Sequence, residues 1–364
     1  MKYSPTPKAL KTSNKNLEKE AMSAPTSLAD LKSGNSVPGD KDESPDKTID
    51  RISKPIWYDE DRYMRGQEFF TKHRCSIMFS YLCAIMVGFT VDQLTNALIF
   101  TGLSVGPKKA RRRYMHTLDL LIKWHTGGDV FDPESVAGSS VLRVRHMHHY
   151  ARSAMMRKNQ EHLETNPEGT APLLPDGVLP MNQYDMALVQ SGFIGPMLLL
   201  PELIGIKATT KEFDDYAYFW RVLGWCLGLR YEYNMCGTNA QIVKKISEEV
   251  QDEIIVPGLR NPSPHFIQLS GDFVKGMSVA IPISQPGLYK FLFPGMGLKP
   301  PTLTVPQWMY YALVVATSWL CYNVLFMRWF LNLFFKYVCH DCHCHAHQNQ
   351  LTFPKQPEKS TYPT

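Results

Sequence analysis

Imidazole and guanidinium groups crowd one stretch, Val141 to Arg152 (VLRVRHMHHYAR), where three histidines and three arginines share twelve positions. Neutral imidazole ligates transition metals and heme iron, and guanidinium pairs with carboxylates. On a helix, positions three, four and seven apart share a face. His148 then lies on the stripe Val141, Val144, Ala151 and Met155, which is apolar throughout. His149 falls with Leu142, Arg145, Arg152 and Met156 on a mixed border, and His146 falls with Arg143 and Tyr150 on a solvent side. A single histidine on an apolar stripe is commonly a hydrogen-bonded core residue. Flanked by Arg145 and Arg152, it also suits a flat apolar cofactor that carries carboxylates, as heme does. A second set, RRRYMHTLDLL, places Arg113, His116 and Thr117 on one face of another helix. The plainer reading there is a basic first turn of an amphipathic helix, and spacing leaves both readings open.

The elements that must position these groups read as helices. Apolar periodicity predicts helices over 62–73, 76–101, 109–124, 139–158, 182–195, 210–227 and 240–255, with few alternating strand patterns. Thr209 with Glu212 and Asn182 with Asp185 have capping-box spacing. The fold class is therefore all-α. Residues 1–54 are rich in Ser, Pro, Lys, Asp and Thr, and are expected to be a disordered tail. Residues 55–256 are expected to form the folded domain, 257–304 a Pro- and Gly-rich irregular connector, and 337–364 a Cys- and His-rich tail. Between the last two, 305–336 includes the uncharged run WMYYALVVATSWLCYNVLFM, about the length of a transmembrane helix, with aromatic residues toward both ends. A single-pass membrane protein is expected.

The net charge of +5 over 364 residues is mixed in sign along the chain, with one dense basic run, KKARRR. No broad basic face or nucleic-acid module is legible, so nucleic acid is not an expected partner. The eight cysteines do not form a secreted disulfide framework, and the one glycosylation triplet is blocked by Pro262. The start of the chain carries no apolar signal-peptide core.

Four stretches in order, RGQEFF, RRRYMHT, VRHMHHYAR, and NQYDMALVQSGF followed by YFWRVLGWCLGL, resemble the MpaB/latex-clearing-protein family. That family includes rubber oxygenase and an endoplasmic-reticulum-bound oxygenase of mycophenolic acid biosynthesis. The resemblance spans roughly 57–255. It implies a multi-helix, heme-binding domain with a globin-like core, followed here by a C-terminal transmembrane helix. The family's Val-Arg-x-x-His-x-x-x-Arg pattern falls on Val144, Arg145, His148 and Arg152. By resemblance His148 is the proximal iron ligand of heme b, with Arg145 and Arg152 beside the cofactor. The distal Arg-x-x-Lys-Thr pattern falls on Arg113, His116 and Thr117. The arginine and threonine would line an oxygen pocket, and His116, standing where the family has lysine, could be a second iron ligand. Gln190 departs from the small hydroxyl residue expected after the Asn-Gln motif.

What the resemblance implies is an O2-dependent oxidoreductase, an oxygenase that oxidises or cleaves C=C bonds of a hydrophobic isoprenoid or lipid-like substrate. Its expected location is the endoplasmic reticulum membrane. Phe193 to Ile206 would line the substrate channel. A non-catalytic bis-histidine heme membrane protein, a sensor or electron carrier, is the alternative. The HMHH run also raises a membrane di-iron hydroxylase or desaturase, but that needs several histidine boxes and the remaining histidines are isolated. The Cys339 to His347 run suggests lipidation or metal binding without deciding between them.

Overall fold

The computed structural model describes residues 24–39, 52–165, 174 and 178–334. These residues are all-α, with no strand among them. In chain order the helices are α1 (Leu28–Lys32), α2 (Glu60–Gly88), α3 (Asp92–Thr101), α4 (Pro107–Thr126), α5 (Val136–Thr165), α6 (Gln183–Leu199), α7 (Thr210–Leu227), α8 (Ala240–Val250), α9 (Pro264–Met277), α10 (Gln285–Leu292), α11 (Val305–Asn323) and α12 (Leu325–Phe334). A helical turn, Pro201–Ile204, follows α6, and α8 continues through a π turn, Gln251–Ile255, into Val256–Arg260.

Local signals account for the helix starts. Asn182 with Asp185 and Thr209 with Glu212 form the reciprocal capping boxes that their spacing predicted. The molecule is organised around the α2–α7 pair. Their close approach explains Gly66, because a Cβ there would lie 2.5 Å from the Phe219 Cβ and 2.8 Å from the Asp215 carbonyl. α6 packs between α2 and α8, while α4 packs on both α5 and α9.

Four expectations are revised. The tail expectation changes over 24–39, where Ser27 and Asp30 form a capping box and Leu28 and Leu31 are buried. The Leu28 N–H also donates to Glu249 at 2.6 Å. Two leucines suffice to dock a segment too polar to fold alone. The expected connector over 257–304 is mostly helical: Pro264 and Pro286 sit in first turns, where no backbone N–H is missed, and Pro257 follows the π turn that continues α8. The break predicted between 73 and 76 is a kink inside one helix, and the single helix predicted over 76–101 is divided after Gly88. α2 runs through a kink at His73 (φ −124°, ψ 22°) to Gly88, and then bends 92° into α3.

The fourth revision concerns the expected transmembrane helix. α11 stops at Asn323, Val324 is extended (φ −120°, ψ 98°), and α12 begins at Leu325. Among the described residues no single helix is long and apolar enough to cross a membrane. Gln307, Thr317, Ser318 and Asn323 dilute the apolar run. By length and composition only the bent α2–α3 pair would pass. Ile77, Met78, Tyr81 and Met86 of that pair are buried in the core.

Candidate functional site

The residues singled out by type and spacing lie on α4 and α5, which pack along one another. His148 is partly accessible as a whole, yet its Nδ1 is sealed from solvent and has no hydrogen-bond partner. Burial, and then the Arg113 charge, push its pKa down to about 4. The ring is therefore neutral near pH 7, with one nitrogen lone pair available. Arg113 is itself held below its ordinary pKa by burial, against the opposing influence of Tyr114.

His116 is half-buried on α4. Burial lowers its pKa; Asp119 opposes this, while Lys123, Arg143 and Arg113 reinforce it. Arg113 is thus felt by both imidazoles. The Thr117 hydroxyl donates to the Arg113 carbonyl at 3.1 Å, so its oxygen remains only as an acceptor. Arg145 and Arg152 are both buried. Arg152 donates to the Met181 carbonyl and to His149 Nδ1, each at 3.4 Å. His146 is exposed and His149 half-buried, as the helical faces predicted.

Ile194, Met197, Ile204 and Ile206, within the stretch expected to line a channel, are buried in the core. Gln190 is a buried clamp whose amide donates to the Trp220 carbonyl at 2.8 Å and to Asn234 at 3.1 Å. Gln183 similarly bridges Pro38, Gly228 and Arg230. The NQYDMALVQSGF motif therefore knits the core in this chain.

Two buried polar centres escaped the sequence reading. His125 is stacked between Phe70 and Phe219, with ring centroids at 4.1 and 4.3 Å. Its Nδ1 donates to the Leu121 carbonyl at 2.6 Å, and its Nε2 accepts from the Tyr216 hydroxyl at 3.1 Å. Tyr216 bonds Tyr81 at 2.7 Å. The available signal was helical, since His125 lies four and seven positions beyond the buried Leu121 and Leu118. The second centre is Asp215, buried between Arg62, Arg65 and Lys211 at 3.2, 2.6 and 2.9 Å. Although burial alone would raise its pKa, hydrogen bonds from those three cations bring it down to about 2. This is the work of the arginine in RGQEFF.

Two open depressions, of about 400 and 710 Å³, lie beside α12 and between Ile52–Lys54 and Val130–Pro133. Neither is lined by His148, His116 or Arg113. Among the described residues no three His, Cys, Asp or Glu side chains cluster as a metal-ion site. A heme requires only one or two protein ligands. The Cys339–His347 run and the rest of 337–364 lie outside the described residues.

The fold and site define an all-helical protein with a partly accessible, neutral histidine on α5 that feels the charge of an arginine on α4. Comparison with family models, with curated proteins and with solved structures finds no match to this chain.

Proposed function

We propose that this chain is a heme b-dependent oxygenase that uses O2 to oxidise or cleave a C=C bond in a hydrophobic, isoprenoid or lipid-like substrate. The observation that carries the reading is His148, a neutral imidazole with a sealed, unpartnered Nδ1 that lies within the field of Arg113. Such a nitrogen left unbonded costs on the order of 1–3 kcal/mol, and a ligand bond there relieves that cost. That unpartnered nitrogen and the neighbouring guanidiniums support the heme reading. His148 would hold the iron, and the buried guanidiniums of Arg145 and Arg152 would meet the carboxylates.

Heme, when bound, would supply the activation of O2. Arg113 would orient an electronegative atom by donating hydrogen bonds, and the Thr117 oxygen would accept one. His148 would stay unprotonated through the physiological range. The exposed apolar residues of α11 and α12 support attachment to a membrane, where the substrate would partition. The endoplasmic reticulum is the membrane proposed, on the resemblance alone.

The second reading, a bis-histidine heme protein without oxygenase activity, is favoured by the shared exposure of His116 and His148 to the Arg113 charge. Oxygen uptake separates the two. Heme-loaded full-length protein mixed with an unsaturated polyisoprenoid or lipid should consume O2 and form carbonyl products. Intact heme with no uptake across such substrates would favour the second reading.

A further inference from the structure

The kink at His73 divides α2 and leaves backbone groups unpaired around it, as helix ends do. One residue of α12 satisfies three of them. Asn332 accepts from the Cys75 N–H at 2.9 Å and donates to the Lys72 and Thr71 carbonyls at 2.7 and 3.5 Å. α12 is therefore pinned against the kink, and a cavity of about 400 Å³ remains beside the contact.

The chemistry of that cavity is uneven. Arg74 and Arg328 bring cations to its lining, beside Thr71, Asn332 and a Lys72 whose ammonium is paired with Glu212. Leu325 and Trp329 make an apolar wall. Among the described residues no carboxylate lines it. The nearby Glu212 is engaged by Lys72 and by Thr209. His73, buried beneath, cannot balance the charge, because burial, Arg328 and Lys72 hold it neutral.

The rim of the cavity continues into a wide aromatic surface. Leu325, Phe326, Trp329, Phe330 and Phe334 of α12 are largely exposed, as are Trp308, Met309 and Trp319 of α11. Ser318 and Cys321 on the other side of α11 are buried, and that helix packs on α10 and the Pro201–Ile204 turn. The pair thus presents an aromatic outer face while its inner face is committed to the domain. Aromatic and aliphatic side chains flanked by cations are the composition of helices that lie in a bilayer interface.

We propose that the cavity between the α2 kink and α12 binds the phosphate headgroup of an anionic membrane lipid, seating the α11–α12 pair on the bilayer surface rather than across it. The inference rests on the membrane attachment argued above and adds both a ligand and a topology to it. The cationic lining takes the phosphate, and Leu325 and Trp329 meet the start of the acyl chains.

Flotation of the full-length protein with phosphatidylcholine vesicles, with and without phosphatidic acid, tests it. Binding should be stronger to the phosphatidic acid vesicles. Arg328→Gln should weaken that binding by about fivefold, the effect of one basic residue at an anionic surface. Arg328→Lys should restore most of it, and Lys244→Gln on α8 should change nothing. Tryptophan emission should shift on binding in the wild type, and less in Arg328→Gln at the same lipid concentration.

No flotation with either vesicle would overturn the membrane attachment itself. Equal flotation with both, or an Arg328→Gln variant that binds like the wild type, would leave attachment standing and overturn the headgroup site. Displacement by inorganic phosphate at the concentration of the lipid phosphate would make a soluble phosphate the ligand and overturn the lipid assignment.

Discussion

His125 and His148 are both imidazoles held neutral by burial, at pKa values of about 3 and about 4, yet their surroundings differ at every polar atom. His125 gives one nitrogen to a backbone carbonyl and the other to a tyrosine hydroxyl, with an aromatic ring on each face. His148 keeps Nδ1 sealed and unbonded, with an arginine charge nearby. The first is a completed piece of core. The second has retained a binding capacity that nothing in its helix or its neighbours uses. The two differ in depth as well as in bonding: His125 is fully buried with both nitrogens bonded, whereas His148 is partly accessible with one nitrogen sealed and unbonded.

The largest way to break the comparison is at His125. His125→Ala removes a ring stacked on both faces and strands Tyr216, so we expect a loss of about 3–4 kcal/mol, read in chemical denaturation. His148→Ala should cost less than about 1 kcal/mol, because it deletes an unsatisfied nitrogen rather than a satisfied one. Equal losses would mean that the two histidines play the same structural part.

Asp215 offers the next largest effect. Its folded pKa, about 2, lies below that of an unfolded aspartate, so its contribution is present above roughly pH 4 and is lost as pH falls through about 2. Asp215→Asn should destabilise the protein by about 2 kcal/mol at neutral pH and flatten the stability profile in that acid window. A variant as stable as the wild type at pH 7 would show that the partly exposed Arg65 and Lys211 gain nothing from the carboxylate.

The histidines titrate in a different window. A base whose folded pKa is depressed binds its proton more readily when unfolded, so stability falls as pH drops from about 6.5 toward the folded value. For His148 that window runs from about 6.5 to about 4. His148→Leu should reduce the slope there by up to one proton, about 1.4 kcal/mol per pH unit, in equilibrium unfolding at a series of pH values. An unchanged slope would mean that His148 is hydrated in the folded state.

The smallest expected effect is spectroscopic. If His116 is a second ligand in the heme-loaded protein, His116→Ala should move the ferric spectrum from low toward high spin with little change in stability. An unmoved spectrum would remove the bis-histidine arrangement.

Much of this was legible in sequence because it was local. The faces of α5 put His146 on the exposed side, with His148 and His149 both partly buried, and the capping boxes set where α6 and α7 begin. What escaped depended on partners distant in the chain. Leu28 and Leu31 look incidental until α6 and α8 receive them. Two prolines of the expected connector, Pro264 and Pro286, are instead in first turns. The kink at His73 is compensated from Asn332, some 260 residues away. Gln190 looked like a departure at a binding motif, and its role in tying Trp220 to Asn234 could be seen only once α7 was beside it.

The central claim is that His148 is the cofactor ligand and His125 is not. The most direct measurement is the absorption spectrum and heme content of the full-length protein expressed with heme supply, taken for the wild type, His148→Ala and His125→Phe. The account predicts a Soret band in the wild type, its loss or large diminution in His148→Ala, and its retention in whatever His125→Phe protein folds. A colourless wild type, or a His148→Ala protein with unchanged heme content and ligation spectrum, would contradict it.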